Sequence, residues 1–111
     1  MSNKYIKNIK VTQIIVKNIK KSILNLLNNF KPYPPNNILG ITGTNGKTSV
    51  VWYIAGICKL NKLPVKSYGT LGYFINLKKI EESYLTTPDY EILHQKSFST
   101  NKKNSYEFIF E

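Results

Sequence analysis

A run of ten residues, Gly40 to Ser49 (GITGTNGKTS), is the feature that most limits the fold of this sequence. It lies between a predicted strand over residues 38–42 and a predicted helix from about Lys47 to Leu60. Glycines allow a tight turn whose backbone N–H groups can face an anion. The helix that follows adds the positive end of its dipole. The run therefore predicts a phosphate-binding loop between a strand and a helix.

The spacing of this loop departs from the common phosphate-loop pattern. That pattern has glycine five positions before the Gly46–Lys47 pair, where this sequence has Ile41. We expect Lys47, the candidate catalytic residue, to reach the β- and γ-phosphates, and the Thr48 hydroxyl to ligate Mg²⁺. The alternative is an ordinary strand-to-helix turn with a chance lysine. The candidate phosphate-binding residues are Gly43, Thr44, Asn45, Gly46, Lys47, Thr48 and Ser49.

The segment before the loop predicts a short strand, a helix and a linker. Residues 12–16 (TQIIV) are mostly β-branched and end in an apolar run, which favours a strand. Asn18 is suited to cap a helix with one apolar face, and such a helix packs on a neighbouring domain more often than on a membrane. Residues 32–35 contain three prolines and predict a stiff linker. A new domain therefore begins at about Asn37.

The segment after the loop predicts the rest of an α/β sheet. Residues 64–68 complete a βαβ unit with two parallel strands. Residues 71–84 predict an irregular hairpin, and Thr87 caps a helix that Pro88 opens. Residues 106–110 predict a last strand. The fold class is α/β, a partial P-loop-type parallel sheet with flanking helices, preceded by a short strand and an amphipathic helix.

The charge distribution raises a second hypothesis. The net charge is +10, and the first acidic residue is Glu81. A polyanion-binding surface for nucleic acid or an anionic membrane would fit that excess. However, all sixteen basic residues are lysines, although arginine is favoured for phosphate and base recognition. We therefore expect a solvated lysine-rich surface and no specific nucleic-acid partner, with the polyanion surface as the alternative.

The number of cysteines and the length of the apolar runs indicate in which cellular compartment the protein resides. The single cysteine, Cys58, excludes a disulfide framework and fits a reducing cytoplasm. The longest apolar run, Val50 to Cys58, is too short to cross a bilayer, and the first ten residues lack the apolar core of a secretory signal. We expect a cytoplasmic protein without a membrane span. His94 has no metal-ligand partner in sequence and is expected at the surface or an interface.

The loop and two later segments resemble those of the Mur ligases. The pattern G-x-x-G-T-N-G-K-T/S is similar to the phosphate loop of that family and of the related folylpolyglutamate synthases. Residues 69–73 (GTLGY) and 85–89 (LTTPD) resemble segments of the Mur ligases that add a diamino acid to UDP-N-acetylmuramoyl-L-alanyl-D-glutamate. Folylpolyglutamate synthases usually carry Gly-Lys-Gly-Ser, whereas this sequence has Gly46-Lys47-Thr48-Ser49.

The resemblance implies a reaction and its ligands. Mur ligases use ATP and Mg²⁺ to activate a carboxylate as an acyl phosphate, which an amine then attacks to form an amide. The implied pathway is peptidoglycan precursor synthesis, with a UDP-N-acetylmuramoyl-dipeptide as substrate. Thr86 and Thr87 are implied to help hold that substrate, and Glu111 is implied to bind Mg²⁺ alongside Thr48.

The resemblance also implies a domain organisation. Residues 1–36 correspond to the end of the N-terminal substrate domain with an interdomain helix and linker, and residues 37–111 to the first half of the central ATP-binding domain. We therefore expect a truncated ligase that is inactive alone, unless a separate chain supplies the remainder in trans. A non-catalytic ATP-binding module is the alternative.

Overall fold

A five-stranded sheet with helices on both faces forms the body of the protein. The computed structural model describes residues 4–8, 10–84 and 87–111. The strands are β1 (Asn37–Gly40), β2 (Val65–Gly69), β3 (Gly72–Ile75), β4 (Lys78–Glu81) and β5 (Glu107–Phe110). The helices are α1 (Ile19–Phe30), α2 (Lys47–Leu60) and α3 (Tyr90–Ser97), with a short 3₁₀ turn over Lys102–Asn104. The α/β class predicted from the sequence is confirmed.

The strand order is β1-β5-β2-β3-β4. Strands β1, β5 and β2 are parallel, and β3 and β4 continue the sheet as antiparallel strands. The predicted βαβ unit is present, since β1 and β2 run in the same direction. They are not neighbours, however, because β5 lies between them. The three parallel strands therefore end at one edge of the sheet.

Alternating side chains divide the sheet into two apolar faces. On one face, α2 covers Val65 of β2 and Ile109 of β5, using the buried residues Val51, Ala55 and Cys58. On the other face, Phe108 of β5 packs with the buried tyrosines Tyr68 and Tyr73 and with residues of α3. Helix α1 packs on the outside of α3. Phe108 and Ile109 are fully buried, so β5 is the centre of the core.

Two helix predictions are confirmed closely. Asn18 caps α1, because its Oδ1 accepts a hydrogen bond from the Lys21 N–H at 3.0 Å. Helix α2 begins at Lys47 and ends at Leu60, as the sequence predicts. The irregular hairpin predicted over residues 71–84 is also present: β3 and β4 pair antiparallel with a register shift between Tyr73 and Phe74. Its two-residue turn, Asn76 and Leu77, has positive φ at both positions. Two-residue turns with positive φ at both positions match the right-handed twist of paired strands.

Three other predictions are wrong in detail. Residues 12–16 form no strand; only Ile15 makes an isolated bridge, and Ile14 and Ile15 are more than half exposed. Strand β1 ends at Gly40 instead of residue 42, and its four residues are exposed. Helix α3 begins at Tyr90 with Asp89 as its N-cap residue, two positions later than the predicted cap Thr87. None of the described helices is long and apolar enough to cross a membrane.

Candidate functional site

The candidate site lies where the three parallel strands end. The phosphate loop follows β1, Thr70 follows β2, and Glu111 follows β5. The Ile41 N–H donates to the Phe110 carbonyl at 2.8 Å, and the Glu111 N–H donates to the Tyr68 carbonyl at 3.2 Å. These bonds continue the ladder beyond the strands. Ligands of open α/β sheets bind at this edge, outside the carboxyl ends of the strands.

The loop takes the backbone conformation that its glycines allow. Gly43 has φ of 144° and Gly46 has φ of 78°, both in the region that favours glycine. Gly46 precedes the first turn of α2, so the helix N-terminus opens directly onto the loop. The Lys47 ammonium donates to the Gly43 carbonyl at 2.9 Å. Thr44, Asn45, Gly46 and Ser49 are exposed around this turn.

Glu111 connects the loops that follow all three strands. Both of its carboxylate oxygens lie 2.9 Å from the Thr48 hydroxyl in the first turn of α2. Its Oε1 also accepts the Thr70 backbone N–H at 2.7 Å. The residue is only 3% exposed, so these donors replace water around the carboxylate. The structure thus brings together two residues that are far apart in sequence and that we expected to share a metal.

The environment of Glu111 favours its ionised form. Burial raises the pKa of the carboxyl, but hydrogen bonds from Thr70 and Thr48 and the nearby Lys47 charge lower it to below its ordinary value. Gly69 makes room for this arrangement, because a Cβ there would lie 2.5 Å from Glu111 Oε1. A buried carboxylate that stays charged is suited to hold a cation.

An open cavity of about 480 Å³ adjoins these residues. Its walls include Gly43 and Lys47 of the loop, Thr87 before α3, and Glu111. Thr87 is exposed and therefore accessible from the cavity. Thr86, the other expected substrate contact, lies outside the described residues.

The protein groups available for a metal are few. Among the described residues, no group of three or more His, Cys, Asp or Glu side chains could hold an ion. Thr48 and Glu111 offer one hydroxyl and one carboxylate. Mg²⁺ is commonly held by one or two carboxylates with phosphate oxygens and water, whereas a structural zinc site needs four protein ligands. The donor set therefore fits Mg²⁺ bound together with a phosphate ligand.

Two contributors to the site were not singled out from the sequence. Thr70 donates its backbone N–H to Glu111, and Gly69 provides the space that the carboxylate occupies. Both residues belong to the GTLGY segment that carries the family resemblance. A Gly-Thr pair after a predicted parallel strand is the signal that could have found them.

His94 lies in an interface inside the chain, not at its surface. It is 2% exposed between α3 and α1, and its Nε2 lies 2.9 Å from Asn28 Oδ1. Its ring stacks on Phe98 at a centroid distance of 4.0 Å. Cys58 is buried on the side of α2 that faces the sheet, as expected for a core residue. Neither side chain contributes to the candidate site.

The fold and the site define an α/β domain with a glycine-rich loop and a buried carboxylate at the carboxyl edge of its parallel strands. Residues 41–111 match the Mur ligase middle domain. The chain therefore belongs to the Mur ligase family.

Relatives of known name support this assignment. The chain is 40% identical over 80 residues to the UDP-N-acetylmuramoyl-L-alanyl-D-glutamate–2,6-diaminopimelate ligase of Rickettsia bellii. This alignment covers 69% of this chain and 17% of that protein. The chain is also 40% identical over 82 residues to the UDP-N-acetylmuramyl-tripeptide synthetase 2 of Oceanobacillus iheyensis, an alignment that covers 72% of this chain and 17% of that protein. The chain thus spans about a sixth of the length of these relatives.

Proposed function

We propose that this chain binds the phosphates of Mg²⁺-ATP and provides that part of the site for a cytoplasmic peptidoglycan-precursor ligase. The observation that carries the proposal is the contact of 2.9 Å between the Thr48 hydroxyl and the buried Glu111 carboxylate, next to Lys47. A hydroxyl, an ionised carboxylate and a lysine beside a helix N-terminus form a donor set that suits a metal-bound triphosphate.

Each residue has a distinct role in this proposal. The exposed backbone N–H groups of the loop and of the start of α2 hold phosphate oxygens. Lys47 exchanges its bond to the Gly43 carbonyl for a phosphate oxygen. Thr48 and Glu111 hold the Mg²⁺, with Thr70 fixing the carboxylate. Bound Mg²⁺ would supply positive charge that offsets the charge developing on the phosphates.

The finer proposal concerns the whole reaction. An ATP-dependent amide bond would form between a carboxylate of UDP-N-acetylmuramoyl-L-alanyl-D-glutamate and the amino group of a diamino acid. Relatives named as ligases for 2,6-diaminopimelate support this substrate class. We assign contact with the muramoyl substrate to Thr86 and Thr87, because Thr87 lines the same cavity as Lys47 and Glu111.

The domain division belongs to the same proposal. We assign residues 1–36 to the end of a substrate domain and its linker, and residues 37–111 to the first half of the ATP-binding domain. The match to the middle domain begins at residue 41, which supports this division. Because each relative is about six times as long as the aligned segment, we assign amide-bond formation to the larger assembly and nucleotide binding to this segment.

Calorimetric titration of the purified chain with ATP, with and without Mg²⁺, tests the proposal. We expect Lys47→Ala to weaken Mg²⁺-ATP binding about tenfold to a hundredfold, since a charged hydrogen bond contributes roughly 1.5–3 kcal/mol. Glu111→Gln keeps the shape of the side chain and removes its charge. It should weaken binding in Mg²⁺ without weakening metal-free ATP binding, because the ionised carboxylate repels the phosphates when no metal is present.

A matched control separates the site from general charge. Lys59→Ala removes an exposed lysine from the last turn of the same helix and should leave ATP affinity unchanged. Equal affinities in the parent, Lys47→Ala and Glu111→Gln proteins would refute the proposed site.

A further inference from the structure

A second, basic cavity of about 410 Å³ lies on the face of the sheet opposite α2. Helices α1 and α3 form its walls, and β2 and β3 form its floor. It shares no lining residue with the cavity beside the phosphate loop. Besides Gln95, three lysines and three apolar or aromatic side chains line it: Leu27, Phe30, Lys31, Lys66, Tyr73 and Lys96.

Lys66 is the central observation at this cavity. It lies in β2 and is only 9% exposed. Its ammonium is 4.5 Å from the centroid of the Tyr106 ring and makes no ion pair within the part of the chain that the structure describes. Burial and the nearby Lys31 charge lower its pKa. Burying an ammonium is costly unless an anion or hydrogen-bond acceptors compensate it, and one aromatic ring compensates it only in part.

The other two lysines add to the positive charge of the cavity. The Lys31 ammonium donates to the Gln95 carbonyl at 2.7 Å, which leaves its charge unneutralised. Lys96 pairs with Glu81 and lies 4.8 Å from the centroid of the Tyr73 ring. Three ammonium groups therefore face one carboxylate, and the cavity keeps an excess of positive charge.

We propose that this cavity binds a small organic anion that carries a phosphate or carboxylate group on an apolar or aromatic body. Its volume lies within the range of small-molecule sites, about 300–1,000 Å³. Lys66 and Lys31 hold the anionic group, and Leu27, Phe30 and Tyr73 pack against the body. Phe30 is 70% exposed, so its ring is free to cover a ligand from the solvent side.

Backbone-amide NMR shifts on the labelled full chain test this proposal with three probes. Phenyl phosphate and phenylacetate carry the two candidate head groups, and benzyl alcohol is a neutral molecule of similar size. We expect at least one anion to shift the amides of Leu27, Lys66 and Tyr73 in a saturable manner, and benzyl alcohol to leave them in place. The anion that binds more tightly identifies the preferred head group.

Two variants and a control connect the shifts to the lysines. Lys66→Met keeps the long apolar stem and removes a buried charge, so it should fold at least as well as the parent. It should weaken anion binding about tenfold or more, because it removes a charged contact. Lys31→Met, at the half-buried C-cap residue of α1, should do the same. Lys59→Met removes an exposed lysine beyond the cavity and should leave the affinity unchanged.

Several results would overturn the proposal: no shifts from either anion, equal binding of benzyl alcohol, or equal affinities in the parent and both cavity variants. Lys47→Ala distinguishes this cavity from the phosphate loop. It should weaken the response to Mg²⁺-ATP at the loop and leave phenyl phosphate shifts at Lys66 intact. Loss of those shifts in Lys47→Ala would assign the anion to the loop instead.

Discussion

At the residue scale, the contact between Glu111 and Thr48 was the least accessible to local sequence reasoning. The residues are 63 positions apart. Helix and strand periodicities cannot reveal such a pair, because they report only which face a residue occupies. The family resemblance suggested that both bind a metal, and the sheet topology accounts for their proximity: the loops after β1 and β5 leave the same edge.

Lysine composition concealed the basic cavity. Sixteen lysines occur in the sequence, so Lys66 looked like one more solvated side chain. Its strand, residues 64–68, was predicted correctly to within a residue. The sequence pattern does not show that β2 is an interior strand of the sheet. Nor does it show that the residues forming the walls of the basic cavity cover the Lys66 side of β2. Burial of a single lysine depends on tertiary neighbours and not on its local sequence.

His94 gives a pH prediction at this scale. If its Nε2–H donates to Asn28 Oδ1, Nδ1 is unprotonated, and among the described residues that nitrogen has no hydrogen-bond partner. Burial and the nearby Lys31 charge lower the pKa of the ring, so the folded protein favours neutral histidine. The unfolded chain binds a proton more readily. The stability contributed by neutral His94 is therefore fully present above the ordinary pKa of about 6.5 and is lost as the pH falls through the lowered value.

Chemical denaturation at a series of pH values measures this effect. The free energy of unfolding should decrease as the pH falls below about 6.5. His94→Gln keeps one hydrogen-bond donor for Asn28 and removes the titrating group, so it should flatten this slope. Identical pH profiles for the two proteins would contradict the prediction.

At the element scale, the helices were easier to predict than the strands. Helix α2 combines a glycine start signal with a long apolar run, and both of its ends were predicted correctly. Residues 12–16 have a favourable β propensity but form no strand. Propensity alone does not form a strand, because a strand also needs a neighbouring strand with which to exchange hydrogen bonds. The position of β5 between β1 and β2 was also not predictable locally, since strand order depends on contacts distant in sequence.

The β2–β3 hairpin depends on Gly72. This residue has φ of 125°, and a Cβ would lie 2.5 Å from the Glu81 carbonyl oxygen of β4. Gly72→Ala must therefore move the β3–β4 backbone or strain its own. We expect it to reduce the free energy of unfolding by about 1–3 kcal/mol, measured by urea denaturation.

Gly56 in α2 is the matched control for Gly72. A Cβ at Gly56 would meet nothing within 4 Å, and the residue lies in a helix. Gly56→Ala should therefore stabilise the protein by roughly 0.5–1 kcal/mol. The two substitutions make the same chemical change, but we expect opposite effects on the free energy of unfolding. Destabilisation of similar size in both would show that backbone conformation and local space at Gly72 are not the cause.

At the scale of the whole molecule, the chain is less compact than its length suggests. Its radius of gyration is 16.8 Å, against about 13 Å for a compact domain of 100 residues. Helix α2 packs on the sheet with one side and exposes an apolar stripe on the other. Four residues at helical spacing form this α2 stripe, each between 41% and 85% exposed: Val50, Tyr53, Ile57 and Leu60. Such a surface favours association with another apolar surface.

The net charge of +10 opposes association between copies. Salt screens that repulsion and leaves the apolar attraction in place. We therefore predict that the chain is monomeric at low salt and self-associates through the α2 stripe as salt increases. Sedimentation velocity at low and high salt measures the change. Tyr53→Glu should keep the chain monomeric at high salt, whereas Tyr84→Glu, at an exposed tyrosine outside α2, should not.

The position of β5 also has a consequence for synthesis. This strand is the centre of the core, yet all four other strands precede it in the sequence. As the polypeptide leaves the ribosome, β1 and β2 emerge before the strand that lies between them. Until then, the side chains of Val65 and Tyr68 are not covered by Ile109 and Phe108. The hairpin of β3 and β4 can form early from local contacts, while closure of the parallel sheet must wait. The nascent chain is therefore most exposed to chaperones and proteases during the interval between translation of β2 and translation of β5.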